Sequence, residues 1–402
     1  MTNNEYDVIV VGARCAGSPT AMLLAKKGFR VLVVDRATFP SDTVSTHMIH
    51  APGIAALQRW GLRDAVQASG CPAIERYSFD FGPITIAGRP RAVEGISAGF
   101  APRRMVLDQI LVDGADRAGA EVREGFSVEE FVIEDGVVVG IRGHGKDGVT
   151  VTERARIVIG ADGRNSRLAK TVAPLQYSES PRLQCSYYTY WRDLPTDGFE
   201  TVIRPYRGWA AIPTNDDLTM VVVGCPVAEM DAFRSDLEAN YLKTFDLAPE
   251  FADRIAAATR VDRFAGAAVA NYFRKPYGPG WALVGDAGYN KDSITAKGIS
   301  DAFLDAERCA AALANHFDGG VAYDDAMAQY QRDRDTNALP IYEFTLQLAT
   351  LEPPPLEMQQ MLGAVAGNQD AEDDFVSITA GTVSPVEFFD PANIGRIMQA
   401  AA

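Results

Sequence analysis

The chain has 402 residues, 47% of them hydrophobic, enough to bury a large core and to form two lobes rather than one. A net charge of −15 disfavours nucleic acid and anionic membrane surfaces, which leaves a small molecule or another protein as the expected partner. The five cysteines (15, 71, 185, 225, 309) are widely spaced and lack a C-x-x-C pair, so no disulfide framework and no metal site is expected.

The first predicted elements are a strand at 6–11, a helix at 17–27 and a strand at 30–34, with apolar runs suited to a parallel sheet buried on both faces. Between strand and helix lies Gly12-Ala13-Arg14-Cys15-Ala16-Gly17, a G-x-G-x-x-G fingerprint whose middle glycine is Arg14. Gly12 suits the tight turn and Gly17 the close packing of helix on strand. Asp35, about twenty residues on and followed by Arg36, stands where a carboxylate accepts ribose hydroxyls. The helix start, with Ala16 and Gly17, offers free N–H groups and a positive dipole end to a pyrophosphate. Arg14 pushes the backbone from the phosphates. Its guanidinium can then contact phosphate or adenine itself, or simply point to solvent.

A short helix at 51–61 ends in glycine, and strand-like sequence broken by Gly and Pro follows to about residue 100. A helix at 104–118 and strands at 121–141 come next. The literal match to the fingerprint, Gly143-His144-Gly145-Lys146-Asp147-Gly148, sits between two alternating strand patterns and no helix follows it. It reads as a hairpin turn. From 183 to 224 the sequence is β-rich. A strand at 281–284 and a helix at 299–315 return to the style of the first lobe. Helical sequence runs on to the C-terminus, broken at Pro353-Pro354-Pro355. No leader precedes the first strand and no apolar run approaches the roughly 18 residues of a membrane span, so a soluble, cytoplasmic protein is expected.

Two later stretches, Val158-Ile-Gly-Ala-Asp162-Gly163-Arg-Asn-Ser-Arg167 and Trp281-Ala-Leu-Val-Gly285-Asp286-Ala-Gly-Tyr289 through Ala302, join the fingerprint in a set of three. Together they resemble the signatures of FAD-dependent monooxygenases of the para-hydroxybenzoate-hydroxylase fold, a superfamily shared with geranylgeranyl-reductase-like flavoproteins and flavin halogenases. The resemblance implies an α/β architecture: a Rossmann-type FAD-binding domain interleaved with a β-sheet substrate domain, plus C-terminal helices. It places the FAD-binding domain at 1–75, 101–175 and 276–330, the substrate domain at 76–100 and 176–275, and a helical region at 331–402. It also implies FAD as bound cofactor, NAD(P)H as transient reductant, O2 as co-substrate and a small, aromatic substrate. By the same resemblance Asp35 binds the adenosine ribose, Asp162 lies near the pyrophosphate, and Asp286 contacts the ribityl or pyrophosphate part. Arg104 belongs to a helix that reaches the flavin, and Gly298 and Ile299 open a helix whose dipole faces the ring. The chain departs from the family pattern at Tyr289, Asp292-Ser293 and Ser300.

The chemistry implied is attack by a flavin hydroperoxide on an electron-rich substrate in a dry pocket. His47 follows the second strand, and an imidazole there can move a proton or can merely cap or pack. Lys291 can neutralise a substrate acid or be solvated. In the β-rich region Tyr188, Tyr190 and Arg192 alternate onto one face and Tyr187 and Trp191 onto the other. One face is expected to roof the flavin pocket. These residues and Trp209 are candidate substrate contacts or ordinary sheet packing. A reductase moving hydride to or from an alkene is the competing enzyme class, and a flavin-free carrier is a third. A halogenase fits less well: its W-x-W-x-I-P motif has Gly208 and Ala210 at the tryptophan positions, and residues 28–145 contain no lysine.

Overall fold

The computed structural model describes residues 6–401. Strand Tyr6–Val11, apolar at all but its first two positions and with Val8, Ile9 and Val10 fully buried, lies inside a parallel sheet. It pairs with Val31–Asp35 on one side and Thr150–Gly160 on the other, in register at Val8↔Val31 and Val10↔Ile159. Glu121–Glu124 extends the first side and Trp281–Leu283 the second. The chain thus leaves the central strand in one direction and returns later on the other side. Such a switch opens a crevice at the carboxyl ends of the strands, where Gly12 lies.

Helix Gly17–Lys26 packs against this strand because its first residue has no side chain. A Cβ at Gly17 would fall 1.7 Å from the Gly12 carbonyl oxygen. Helix Ala51–Trp60 ends on Gly61 in the left-handed conformation, and helices Arg104–Arg117 and Gly298–Phe317 complete the layer over the sheet. The glycines at 143–148 occur as expected in a hairpin, with His144 opposite Thr150. Gly148, at φ 72°, takes the left-handed position there.

The second sheet is ordered Thr259–Arg260, Gln184–Arg192, Leu218–Pro226, Arg207–Pro213, Phe199–Arg204, Tyr77–Asp80, Thr85–Gly88. Residues 77–88 join it through a parallel pairing with Phe199–Arg204, so the two sheets are interleaved along the chain. Alternation divides its faces. Tyr188, Tyr190, Ile212 and Met220 pack on one face with C-terminal residues such as Leu362, Val365 and Val376. Tyr187, Trp191, Trp209 and Val223 pack on the other under Phe233, Tyr241, Phe245 and Phe251. The latter aromatics belong to helices Met230–Ser235, Leu237–Thr244 and Pro249–Ala257 and the 3-10 turn Phe245–Leu247, a cover that the strand reading of this region did not include. The C-terminal helices begin with Tyr323–Ala349, which continues through Pro340. No described helix is long and apolar enough to cross a membrane.

Candidate active site

A cleft of about 800 Å3 runs from the Gly12 turn to the second sheet, within the size range of cofactor sites. At its nucleotide end Gly12 has φ 105°, and a Cβ there would meet the Ala161 carbonyl oxygen at 2.4 Å. Only glycine fits. Asp35 closes the strand beside it, one carboxylate oxygen accepting from the Ala13 N–H at 2.8 Å and the other from the Ala37 N–H at 2.7 Å. Each oxygen keeps a lone pair for a ribose hydroxyl. Arg36 is exposed at the cleft rim, and Ala16 lines the cleft beside the helix start.

Arg14 neither points freely to solvent nor stands unoccupied. Its guanidinium pairs with Asp108, donates to Ser41 Oγ at 2.8 Å and to the Ser41 carbonyl at 3.3 Å, and lies over Phe39. Asp108, fully buried, also receives two bonds of 3.0 Å from Arg104. The i,i+4 spacing of Arg104 and Asp108 was a visible signal for this pair; the crossing to Arg14 was not. Both arginines line the cleft.

In the Asp162-Gly163 loop, one Asp162 oxygen accepts from the Arg167 N–H at 2.6 Å while the other is buried without a partner. Burial pushes this carboxyl above its ordinary value, against the hydrogen bonds that hold it down. An orphan acceptor at a cleft wall suits a ligand donor. Gly163 is left-handed at φ 75° with open space where a Cβ would be, and Gly298 is likewise open. Asp286 sits after Gly285 (φ 58°) and faces the cleft; burial raises it, while Lys291, Arg164 and Arg104 pull it back. Gly298 and Ile299 begin the 20-residue helix, presenting first-turn N–H groups that have no intrahelical acceptor. The orphan carboxylate oxygen, the side-chain-free cradle and the helix end together fit a flavin dinucleotide.

Lys291 is buried rather than solvated, paired with Asp301 and 5.0 Å from the Tyr289 ring centre. On the opposite wall the face bearing Tyr188 turns toward the cleft, joined by Ser186, Val222, Gly266 and Ala267. Tyr188 Oη accepts from the Ser45 N–H at 3.3 Å. Three candidate positions need correction. Trp209 lies on the far face, its ring edge-on to Phe245 at 5.5 Å, because strand alternation sends it away from the cleft. Arg192 is exposed at the strand end, beyond the cleft. Tyr190, two residues along the same face as Tyr188, does not line the cleft; it is contacted by His47 Nε2 and capped by Arg103 at 4.6 Å.

His47 does not line the cleft either: it is fully buried in the left-handed conformation at φ 61°, with Nδ1 unpartnered. Burial, then the nearby Arg104, push its pKa down to about 3. The expectation of an imidazole titrating near neutrality is therefore replaced by a neutral ring. His50 is neutral for the same reason, pushed to about 3 by burial and by Lys297. Its Nε2 donates to the Thr295 carbonyl at 3.1 Å, which leaves Nδ1 to accept from Tyr77 Oη at 3.0 Å. Asp292, marked in the sequence only as a departure from the family pattern, is a buried cleft carboxyl that accepts from Gln184 Nε2 and the Ile294 N–H and is pushed up to about 6 by burial. Among the described residues no cluster of His, Cys, Asp and Glu could hold a metal ion.

Residues 5–345 match the family of FAD binding domains. The chain belongs to that family. As a member of the FAD-binding family it is 31% identical over 311 residues to digeranylgeranylglycerophospholipid reductase 1 of Methanopyrus kandleri, covering 75% of this chain and 78% of the relative. It is 26% identical over 385 residues to rifampicin monooxygenase of Streptomyces venezuelae, covering 89% and 74%. A solved flavin-dependent brominase superposes with a TM-score of 0.81 at 21% identity over 98% of each chain, a likeness of fold. The protein is thus an FAD-dependent oxidoreductase with the mixed α/β fold expected for this family.

Proposed function

We propose that the protein is a single-component monooxygenase that uses NAD(P)H and O2 to hydroxylate or epoxidise an aromatic or unsaturated small molecule. The observation that carries this reading is the continuity of one cleft. It joins the phosphate-binding turn at Gly12 to a small-residue and tyrosine wall at Ser186, Tyr188, Val222, Gly266 and Ala267. FAD bound there supplies the redox and oxygen chemistry.

The chain's own residues provide binding, orientation and charge. Gly12, its own N–H donated to the Val34 carbonyl, holds the tight turn, Gly163 and Gly298 leave open space for the cofactor, and the orphan Asp162 oxygen accepts from it. The first turn of Gly298–Phe317 would favour negative charge on a cofactor held beside it, worth about 0.3–1 kcal/mol for an exposed helix end and more when buried. Lys291, fixed by Asp301, adds a cation at the same end of the cleft. Tyr188 Oη, already accepting from Ser45, keeps its own proton to donate to a substrate oxygen. His47 is assigned a positioning role: its neutral ring orients Tyr190 beside Tyr188. The C-terminal helices cover the same face of the sheet and limit water.

The second reading, an alkene reductase, is favoured by the 31% identity to a geranylgeranyl-lipid reductase. The two readings separate on oxygen. NADH or NADPH oxidation is followed with a panel of phenols and polyprenols, with and without O2. A monooxygenase gives a product one oxygen atom heavier and no product anaerobically. Anaerobic turnover to a product two hydrogens heavier would replace the first reading with the second.

A further inference from the structure

The turn that carries Asp286 is held from behind by groups that no motif marks. Gly285 and Asp286 face the cleft, whereas Ala287 and Gly288 lie behind it. The Gly285 N–H donates to Asp305 Oδ2 at 3.3 Å, from the helix Gly298–Phe317. Three side chains of the next helix, Tyr323–Ala349, reach carbonyls of the same segment. Tyr323 Oη donates to Trp281 O at 2.7 Å, Tyr330 Oη to Leu283 O at 2.9 Å, and Arg334 Nη1 to Gly288 O at 3.5 Å. Spacings of seven and four put these residues on one helix face. Strand and turn are thereby pinned by a helix outside the recognised signatures.

Arg334 is the largest fully buried side chain of the described residues. Its other donors go to Asp335 Oδ1 at 2.9 Å, Tyr177 Oη at 2.6 Å and the Arg274 carbonyl at 3.0 Å. A guanidinium removed from water costs several kcal/mol unless its fork is filled, so its pose is tightly determined. Asp305, 1% exposed, is likewise committed, and it lies near enough for Arg334 to oppose the upward push of burial on its carboxyl. A buried anion therefore holds the first N–H of the turn and a buried cation its last carbonyl.

We propose that Asp305 and Arg334 are positioning residues that fix the Gly285–Gly288 turn in the shape that receives FAD, so that cofactor affinity is set partly from behind the cleft. The proposal rests on FAD occupying the cleft and is independent of whether the reaction is oxygenation or reduction. Neither residue touches the cofactor space. Their effect travels through the turn backbone to Asp286.

The test uses full-length apoprotein titrated with FAD, with thermal unfolding of each apoprotein measured alongside. Arg334→Met and Asp305→Asn are expected to raise the FAD Kd at least tenfold and to change the visible circular dichroism of the flavin that still binds. Arg334→Lys keeps the charge without the planar fork and should recover only part of the loss. Tyr342→Phe removes a buried hydrogen bond of the same helix to the Ser178 carbonyl, away from the turn. It should lower the unfolding temperature and leave the Kd within twofold. Asp305→Asn and Arg334→Lys keep the test decisive if Arg334→Met does not fold. Parent-like Kd values in the folded variants, or losses no larger than the fall in folded fraction, would overturn the proposal. A parent apoprotein unable to take up FAD would overturn it together with the cofactor assignment.

Discussion

Arg14 replaces a glycine that usually lets the backbone approach a pyrophosphate, and its structural commitments allow the consequence of removing it to be worked out. Arg14→Ala deletes one ionic bond to Asp108 and two bonds to Ser41. Asp108 keeps both Arg104 bonds, so no buried charge is stranded. The Arg14 side chain is 24% exposed, so the lost ion pair is partly screened and the stability cost is about 1–2 kcal/mol, below that of a fully buried pair. A second effect, of similar size, falls on the segment from Asp42 to Thr46, which lines the cleft and is tethered at Ser41. Its loosening should weaken FAD by about tenfold, or roughly 1.4 kcal/mol. Because the guanidinium is already committed to Asp108 and Ser41 rather than to a phosphate, the salt dependence of FAD binding should change little. A guanidinium bound directly to phosphate would give a shallower salt dependence in the variant. Fluorescence titration of apo parent, Arg14→Ala and Arg14→Lys at two salt concentrations decides. Equal affinities in all three would refute the tether, and a reduced salt slope in Arg14→Ala would show a phosphate contact instead.

Gly12→Val should abolish FAD binding and much of the folded yield, since its side chain would enter the Ala161 carbonyl, while Gly145→Ala should leave flavin content in the folded fraction unchanged; absorbance at 450 nm per chain checks both. Trp209→Ala should cost about 3–5 kcal/mol by emptying the aromatic core on the far face, with FAD affinity preserved in the folded protein; denaturant unfolding and FAD titration read the two effects. His47 has a folded pKa near 3 against 6.5 unfolded, so the unfolded chain binds the extra proton between those values and stability falls as pH drops through that window. His47→Gln should remove about 1.4 kcal/mol of that loss per pH unit well below 6.5, seen as a shallower decline in urea midpoint between pH 6 and pH 4.5. Asp292 and Asp305, raised to about 6, bind protons in the folded state over pH 4–6 and act with the opposite sign, so the comparison with the parent rather than the absolute slope is diagnostic.

Local pattern carried much of the fold. Strand–turn–helix context distinguished Gly12–Gly17 from the hairpin at Gly143–Gly148, because a phosphate site needs a helix end and a hairpin has none. Strand alternation placed Tyr188 and Tyr190 opposite Tyr187 and Trp191. Alternation alone left open which face met the cleft, since both faces are apolar and each is covered, one by C-terminal helices and one by residues 230–257. For the same reason alternation did not decide between contact and packing for Trp209: its strand was visible, but its place opposite Val223, which in turn stands opposite Tyr187, was not. The ionic partners were the least legible. Asp108 to Arg14 spans 94 residues and Gly285 to Asp305 spans 20, and such pairings depend on how helices pack rather than on any sequence period. His47 appeared chemical because histidine titrates near neutrality in water; burial removed that property.

The proposed reaction is tested most directly by turnover under 18O2. Purified holoprotein, NADH or NADPH and a panel of phenols and polyprenols are incubated with labelled oxygen, and products are weighed by mass spectrometry. The proposed monooxygenase places one 18O atom in the product, with reductant consumed only when O2 is present. Product formed without label, at the same rate with oxygen removed, would contradict it.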